Sequence, residues 1–168
     1  ENTQFPINSV FNHEPKKVKS GESPEEFSEY LWMNLSRGTG FVELYIKTQE
    51  LSKSDWDVLA KGLNWAKSAF PYFKRSKMHG GNPKESEVYG YTGWNEEGGY
   101  ISFHNPSEKP QTYIVKLDRR LGLMEGKNKY VVSSPLENAT EFVQKEYLHG
   151  SEVEILLKSG EVKILDFR

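Results

Sequence analysis

The chain has no cysteine in its 168 residues. That excludes a disulfide scaffold, a thiolate zinc site, an iron–sulfur cluster and a cysteine nucleophile. It also lacks any apolar run near the roughly 18 residues that a membrane helix needs, so no membrane span is expected. A surplus of one charge is missing too. Twenty-two basic and 24 acidic residues leave a net charge of −2. Neither half carries the basic excess of a nucleic-acid binder, so nucleic acid is not an expected partner. The opening run ENTQFPINSV has neither the basic start nor the apolar stretch of a secretory signal. A leader removed ahead of Glu1 would leave the same run, so compartment is not read from it.

What the chain does have is apolar and aromatic mass. Leu, Ile, Val and Phe supply 40 residues, or 24% of the chain, which is above the range of disordered sequences. Nine Phe, nine Tyr and four Trp are enough to fill β-sheet cores or to present aromatic surface to sugars.

The first half alternates strand and helix signals. Residues 5–11 (FPINSVF) are a short extended candidate, weakened by Pro6. Ser23, Pro24 and Glu26 mark a helix start with a capping box, and Phe27, Tyr30, Leu31 and Leu35 follow at helical spacing. That helix should stop near Ser36, with Gly38 free to take a left-handed turn. Residues 41–47 (FVELYIK) read as a strand covered on both faces. Ser52 and Asp55 open a second helix, with Leu51 placed to staple against Trp56. Its expected apolar stripe is Trp56, Leu59, Ala60, Leu63 and Phe70, and Pro71 ends it.

Residues 74–86 (KRSKMHGGNPKES) read as a linker or long connection. Beyond them the periodicity shortens. Strands are expected over 87–94, 99–104, 111–117, 130–133, 141–147, 152–157 and 162–167, with turn residues such as Asn105-Pro106-Ser107 and Ser159-Gly160 between them. Seven short strands at this spacing predict an antiparallel β-sandwich. The fold class is therefore α+β, with two expected regions: a βαβα segment over 1–78 and a sandwich over 79–168. A strand–helix–strand unit in one sheet should be parallel. Two parallel strands and two helices cannot cover both faces of their own sheet. Either the βαβα segment belongs to a larger α/β structure, or both strands join the C-terminal sheet.

The run GFVELYIKTQELSKSDWDVLAKGLNWAKSAF, followed by MHGGNP, EVYGYTGW and GGYISFHNPSEKPQTYIVKLD, resembles the C-terminal part of bacterial glycoside-hydrolase-like proteins of the α-galactosidase type. The resemblance implies the last two units of a TIM-type (β/α)8 barrel followed by a C-terminal sandwich. It places 5–11 and 41–47 as the last two barrel strands. It implies a carbohydrate ligand and an extracellular or periplasmic location. It also implies a partner surface for the remainder of the barrel, or for another copy of the chain. No cofactor is implied.

Active sites of such barrels lie at the C-terminal ends of the strands. On that reading the loop after the first strand offers Asn12, His13 and Glu14, and the end of the second offers Tyr45 and Lys47. These side chains suit sugar hydroxyls. A solvated polar loop would explain the first three equally well. Glu43 interrupts an apolar strand and needs a partner, for which Arg37 is near in sequence. Glu14 and Glu43 together would make the carboxylate pair of a glycosidase, whereas a salt-bridged Glu43 would be structural. The four histidines have no metal spacing, and there is no GxSxG nucleophile elbow. The catalytic residues stay unassigned. The sequence supports a mainly structural part of a carbohydrate-active hydrolase, inactive in isolation. A non-catalytic module binding glycan or protein is the alternative.

Overall fold

In the computed structural model, residues 15–124 and 126–168 are described. The candidate strand at 5–11 lies outside them. Helix α1 (Pro24–Ser36) starts where the capping signal places it, with Ser23 Oγ accepting the N–H groups of Glu25 and Glu26. Ser23 in turn donates to Glu25 Oε2 at 2.7 Å, so Glu25 is its hydrogen-bonding carboxylate partner. From Tyr30 to Ser36 every residue of α1 is buried, so the C-terminal half of the helix shows no exposed side chain. Gly38 then turns the chain with φ +73°. A Cβ there would sit 2.7 Å from both Ser76 Cβ and the Tyr100 hydroxyl.

Residues 41–47 depart from expectation. No strand forms there, and Phe41 and Tyr45 are 58% and 43% exposed. Two backbone hydrogen bonds hold the segment to 16–17: Lys16 N–H to Tyr45 O at 3.2 Å and Lys47 N–H to Lys17 O at 3.1 Å. A strand meant to be covered on both faces needs a neighbour on each side. Among the described residues its backbone pairs with 16–17 alone, while half-buried Val42, Leu44 and Ile46 pack against the helix-side apolar cluster.

Helix α2 (Lys53–Ala69) opens on the expected capping box between Ser52 and Asp55. Its buried face is Leu59, Gly62, Trp65 and Ala69. Trp56, Leu63 and Phe70, expected in the buried stripe, are instead 46%, 46% and 57% exposed. They recur every seven residues, and so form a single line along the outer side of the helix. Gly62 lets the two helices close up: a Cβ there would lie 2.8 Å from Leu35 Cδ1. A 3₁₀ turn (Phe70–Arg75) follows, with Pro71 at its start.

The stretch 74–86 is more ordered than a linker. It contains strand β1 (Lys77–Gly80), paired antiparallel with β2 (Tyr89–Trp94) in the register Met78↔Tyr91. β3 (Gly99–His104), β4 (Gln111–Lys116), β5 (Lys129–Ser133), β6 (Glu146–Leu148), β7 (Glu152–Leu157) and β8 (Val162–Phe167) complete the sheets. The expected strand at 141–147 is mostly replaced by a 3₁₀ turn (Glu137–Phe142) ahead of the short β6. Neither face of that stretch is continuously apolar, and it is held by buried Phe142, by Tyr147 against Phe167 and by backbone bonds of 144–145 to Val132. Six strands pair in the order β1-β2-β3-β8-β5-β6, and β4 pairs with β7; every pairing is antiparallel. Asn105, fully buried, braces the turn after β3 by donating to the carbonyls of Lys109, Leu157 and Lys158.

Two apolar clusters organise the fold. One lies between the six-stranded sheet and the β4–β7 pair and includes Trp94, Phe103, Val115, Ile155 and Phe167. The other joins the helices to the opposite face of the large sheet, with Leu31, Trp32, Trp65 and Phe73 against Tyr100 and Ile164. Trp65 meets Tyr100 edge-on at 5.4 Å, and Phe73 packs against both. Polar bonds fasten the same junction. Trp65 Nε1 donates to both oxygens of Asp166 at 3.0 and 3.2 Å, and the Tyr100 hydroxyl donates to Ser36 O at 2.7 Å.

Burial raises the Asp166 carboxyl to about 6, against the Trp65 hydrogen bond and the charge of Arg168. His79 behaves oppositely. Its Nε2–H donates to Ser102 O at 2.9 Å, its Nδ1 faces the Tyr113 hydroxyl at 3.4 Å, and burial lowers it to about 4. A carboxyl raised from 3.8 to about 6 gives stability that is complete below pH 3.8 and lost as pH rises through 6. A histidine lowered from 6.5 to about 4 gives stability that is complete above pH 6.5 and lost as pH falls through 4. The two slopes oppose each other across the shared window. Urea unfolding from pH 4 to 7 should therefore show Asp166→Asn gaining about 3 kcal/mol on wild type as pH rises. His79→Gln should lose its relative advantage over the same range. A pH-independent difference for Asp166→Asn would contradict this account.

Candidate functional site

The sequence-predicted site is only partly within the described residues. Asn12, His13 and Glu14 lie outside them. Tyr45 and Lys47 are on the exposed segment beside 16–17, so the chain just after that loop does meet the end of the 41–47 segment. A hydrogen bond to the Glu43 carboxylate raises the Tyr45 hydroxyl. Glu43 thus serves as an acceptor for its neighbour two residues on.

Beneath this edge is a charged anchor. Lys17 has a left-handed backbone (φ 53°) and is 4% exposed. Its ammonium lies 3.2 Å from Asp55 Oδ2 and donates to Glu22 O at 2.6 Å. The Glu22 carboxylate accepts the backbone N–H groups of Lys17, Val18 and Lys19, which lowers its pKa. Asp55 is 1% exposed. Burial works against its charge, but hydrogen bonds from Ser52 and the Lys17 ammonium outweigh burial and hold the carboxyl low. The capping box of α2 and the loop ahead of α1 that pairs with 41–47 therefore share one carboxylate.

A second concave feature lies between α1 and the β2–β3 hairpin, a cleft of about 380 Å³. Alternation on β2 points Tyr89 and Tyr91 toward the helices and sends Trp94 into the inter-sheet core, where it meets Tyr130 and Phe167. α1 supplies Glu29, Asn34 and Arg37 to the cleft, and Lys16 closes one side. His104 Nδ1 is 3.1 Å from the Tyr89 hydroxyl, and Glu29 Oε1 is 2.6 Å from His104 Nε2, off the line of an aligned N–H. Burial raises the Tyr91 hydroxyl, with Arg37 opposing, so the phenol stays neutral and able to donate or accept. Asn34 is 6% exposed, and its Nδ2 has no partner; Arg37 Nε is buried and has none either. Buried polar groups without partners are uncommon in folded proteins.

Sequence reasoning singled out neither Asn34 nor the cleft. The available signal was an amide inside the apolar run YLWMNL of the first helix. Among the described residues, no three His, Asp or Glu side chains gather as a metal site would need. No described helix is long and apolar enough to cross a membrane.

No family model matches the chain, and neither does any curated protein sequence. Solved structures do match. A candidate α-N-acetylgalactosaminidase of Bacillus halodurans superposes with a TM-score of 0.61 and 11% identity, over 88% of this chain and 32% of that one. α-Galactosidase I of Mortierella vinacea gives 0.56 and 8%, over 88% and 36%. A glycoside-hydrolase family 27 β-L-arabinopyranosidase of Geobacillus stearothermophilus gives 0.55 and 11%, over 88% and 31%. The chain spans about a third of each of these proteins. At such identities the likeness is one of fold: the mixed helical and antiparallel arrangement seen here recurs inside larger carbohydrate-active enzymes.

The Lys17–Asp55 pair gives the sharpest test of how the edge is held. Lys17→Met leaves Asp55 buried without its counter-ion and should cost about 3 kcal/mol. That is the low end for stripping one partner from a buried pair, since this one lies just beneath the surface. Lys17→Met combined with Asp55→Asn should recover part of that loss in urea unfolding. A double variant less stable than the sum of its single variants would contradict the pairing.

Proposed function

We propose that this chain is the C-terminal part of a carbohydrate-active, glycoside-hydrolase-like protein. Residues 1–78 then form the last two units of a βα barrel, and 79–168 an accessory β-sandwich. Its role is mainly structural: it closes the barrel and shields the barrel's helices. Asn12, His13, Glu14, Tyr45 and Lys47 sit toward the substrate side. On this reading the protein works outside the cytoplasm, as a bacterial secreted hydrolase would.

One observation carries the reading. The outer line of α2 (Trp56, Leu63, Phe70) is apolar and exposed, and Phe41, in the segment just before that helix, is exposed as well. Soluble proteins rarely leave such a line bare unless something covers it. The cover assigned here is the remainder of the barrel, or failing that a second copy of the chain. Further support comes from the matched solved structures, which are each about three times as long as the segment this chain covers. Hydrolysis of a glycoside usually needs two carboxylates about 5–10 Å apart on opposite sides of the bond. Of the two candidates, Glu43 already accepts from Tyr45.

Sedimentation velocity on the chain alone should show self-association that rises with concentration. Trp56→Glu combined with Leu63→Glu should return it to monomer. A panel of α- and β-linked aryl glycosides should show no turnover. A strictly monomeric wild type that binds no hydrophobic dye would overturn the docking surface. Turnover abolished by Glu43→Gln would overturn the structural role.

A further inference from the structure

The cleft between α1 and the β2–β3 hairpin has polar groups that the fold does not use. Asn34 comes from the buried half of α1, yet its amide nitrogen has no partner. Arg37 caps the same helix, and its Nε is buried without one. An unpaired buried amide is costly, so a folded chain normally satisfies it or reserves it for a ligand. Both orphans are donors, and they lie one helical turn apart, so they face the same space.

The rest of the lining indicates what would fill that space. Lys16 and Arg37 face Glu26 and Glu29, so the formal charges cancel and no net field selects an anion. Carboxylates supply acceptors, the amide and the guanidinium supply donors, and Tyr91 offers a neutral, largely buried ring. Donors and acceptors beside an aromatic face match a polyhydroxyl ring: its hydroxyls both give and take hydrogen bonds, and its C–H face packs on the phenol. At about 380 Å³ the cleft is at the small end of the usual range for small-molecule pockets, roughly 300–1,000 Å³.

We infer that this cleft is a binding site for a neutral sugar ring, with Asn34 and Arg37 donating to its hydroxyls and Tyr91 packing on its apolar face. The inference rests on the carbohydrate reading above only for the class of ligand. Shallow polar sites of this kind bind weakly, so dissociation constants in the millimolar range are expected.

The test titrates the full chain with methyl galactoside, methyl glucoside, N-acetylgalactosamine and arabinose, and with glucuronate as an anionic control. Binding is followed by the side-chain amide resonances of Asn34 in ¹H–¹⁵N spectra. At least one neutral sugar should move the Asn34 amide pair saturably. Asn34→Leu and Arg37→Met should each weaken that sugar at least tenfold, read from the remaining shifts, with the thermal unfolding profile retained. Lys116→Ala, at an exposed position of β4, should leave it unchanged, while Tyr45→Phe and Lys47→Ala separate this site from the predicted edge. Conversely, sugar binding lost in the Tyr45 and Lys47 variants but kept in the Asn34 variant would overturn this site while supporting carbohydrate binding at the predicted edge. Binding of glucuronate alone would overturn the neutral-sugar assignment. Absence of any shift at high sugar concentration would overturn the site altogether, without touching the docking role of α2.

Discussion

The structure depends on one buried contact: the Trp65 indole wedged against Tyr100 and Phe73, with its N–H held by Asp166. Trp65 belongs to α2, Tyr100 to the start of β3 and its cross-strand partner Asp166 to β8, so a single side chain ties the helical layer to the two middle strands of the large sheet. Tyr100 extends the tie to α1 by donating to Ser36 O, and Gly38 provides the clearance for its hydroxyl. The carboxylate that completes the junction is held where its charged form is disfavoured. A hydrogen bond to a charged acceptor contributes roughly 1.5–3 kcal/mol, of the same order as the desolvation it offsets. Because the carboxyl still ends up raised, ionised Asp166 carries a net cost, and most of the junction's stabilisation comes from aromatic burial.

Much of the local structure was legible in the sequence, because capping and turn chemistry act over three or four residues. Ser23 and Ser52 place both helix starts, Gly38 the left-handed turn, and the runs at 99–104, 152–157 and 162–167 appear as strands with the predicted bounds. What failed was whatever depended on a distant partner. The run FVELYIK has the composition of a buried strand, but among the described residues its backbone pairs with 16–17 alone and no strand forms. Lys77–Gly80 has too few apolar residues to announce a strand, and it becomes one because β2 offers an edge. In α2 the periodicity correctly marks a helix, yet two apolar lines run along it, and sequence alone did not tell which faces inward. Leu59, Trp65 and Ala69 do; Trp56, Leu63 and Phe70 do not.

The same split explains where function can reside. The inter-sheet core is filled, with Trp94, Phe103, Ile155, Leu165 and Phe167 all nearly inaccessible, and offers no chemistry. Unused capacity lies on the helical side: an apolar line on α2, an irregular segment at 41–47, and two unpaired donors in the cleft beside α1. The candidate site was only half visible from sequence for a related reason. Tyr45 and Lys47 were named from their place at the end of an apparent strand. Asn34 and Arg37 matter because a hairpin more than fifty residues away folds back over them. A polar residue inside a buried helical run was the available sign, and it becomes meaningful once its lack of a partner is seen.

The central claim is that helices and sheet form one cooperative unit through the Trp65 junction. Native-state hydrogen exchange measures this directly, because each amide reports the free energy of the opening that exposes it. Amides in the middle of α2 and in β3 and β8 should exchange only through a shared global opening, with free energies that agree within about 1 kcal/mol and fall together with added denaturant. Helical amides that open several kcal/mol more easily than those of β3, with a smaller denaturant dependence, would show the helices unfolding on their own and would contradict the account.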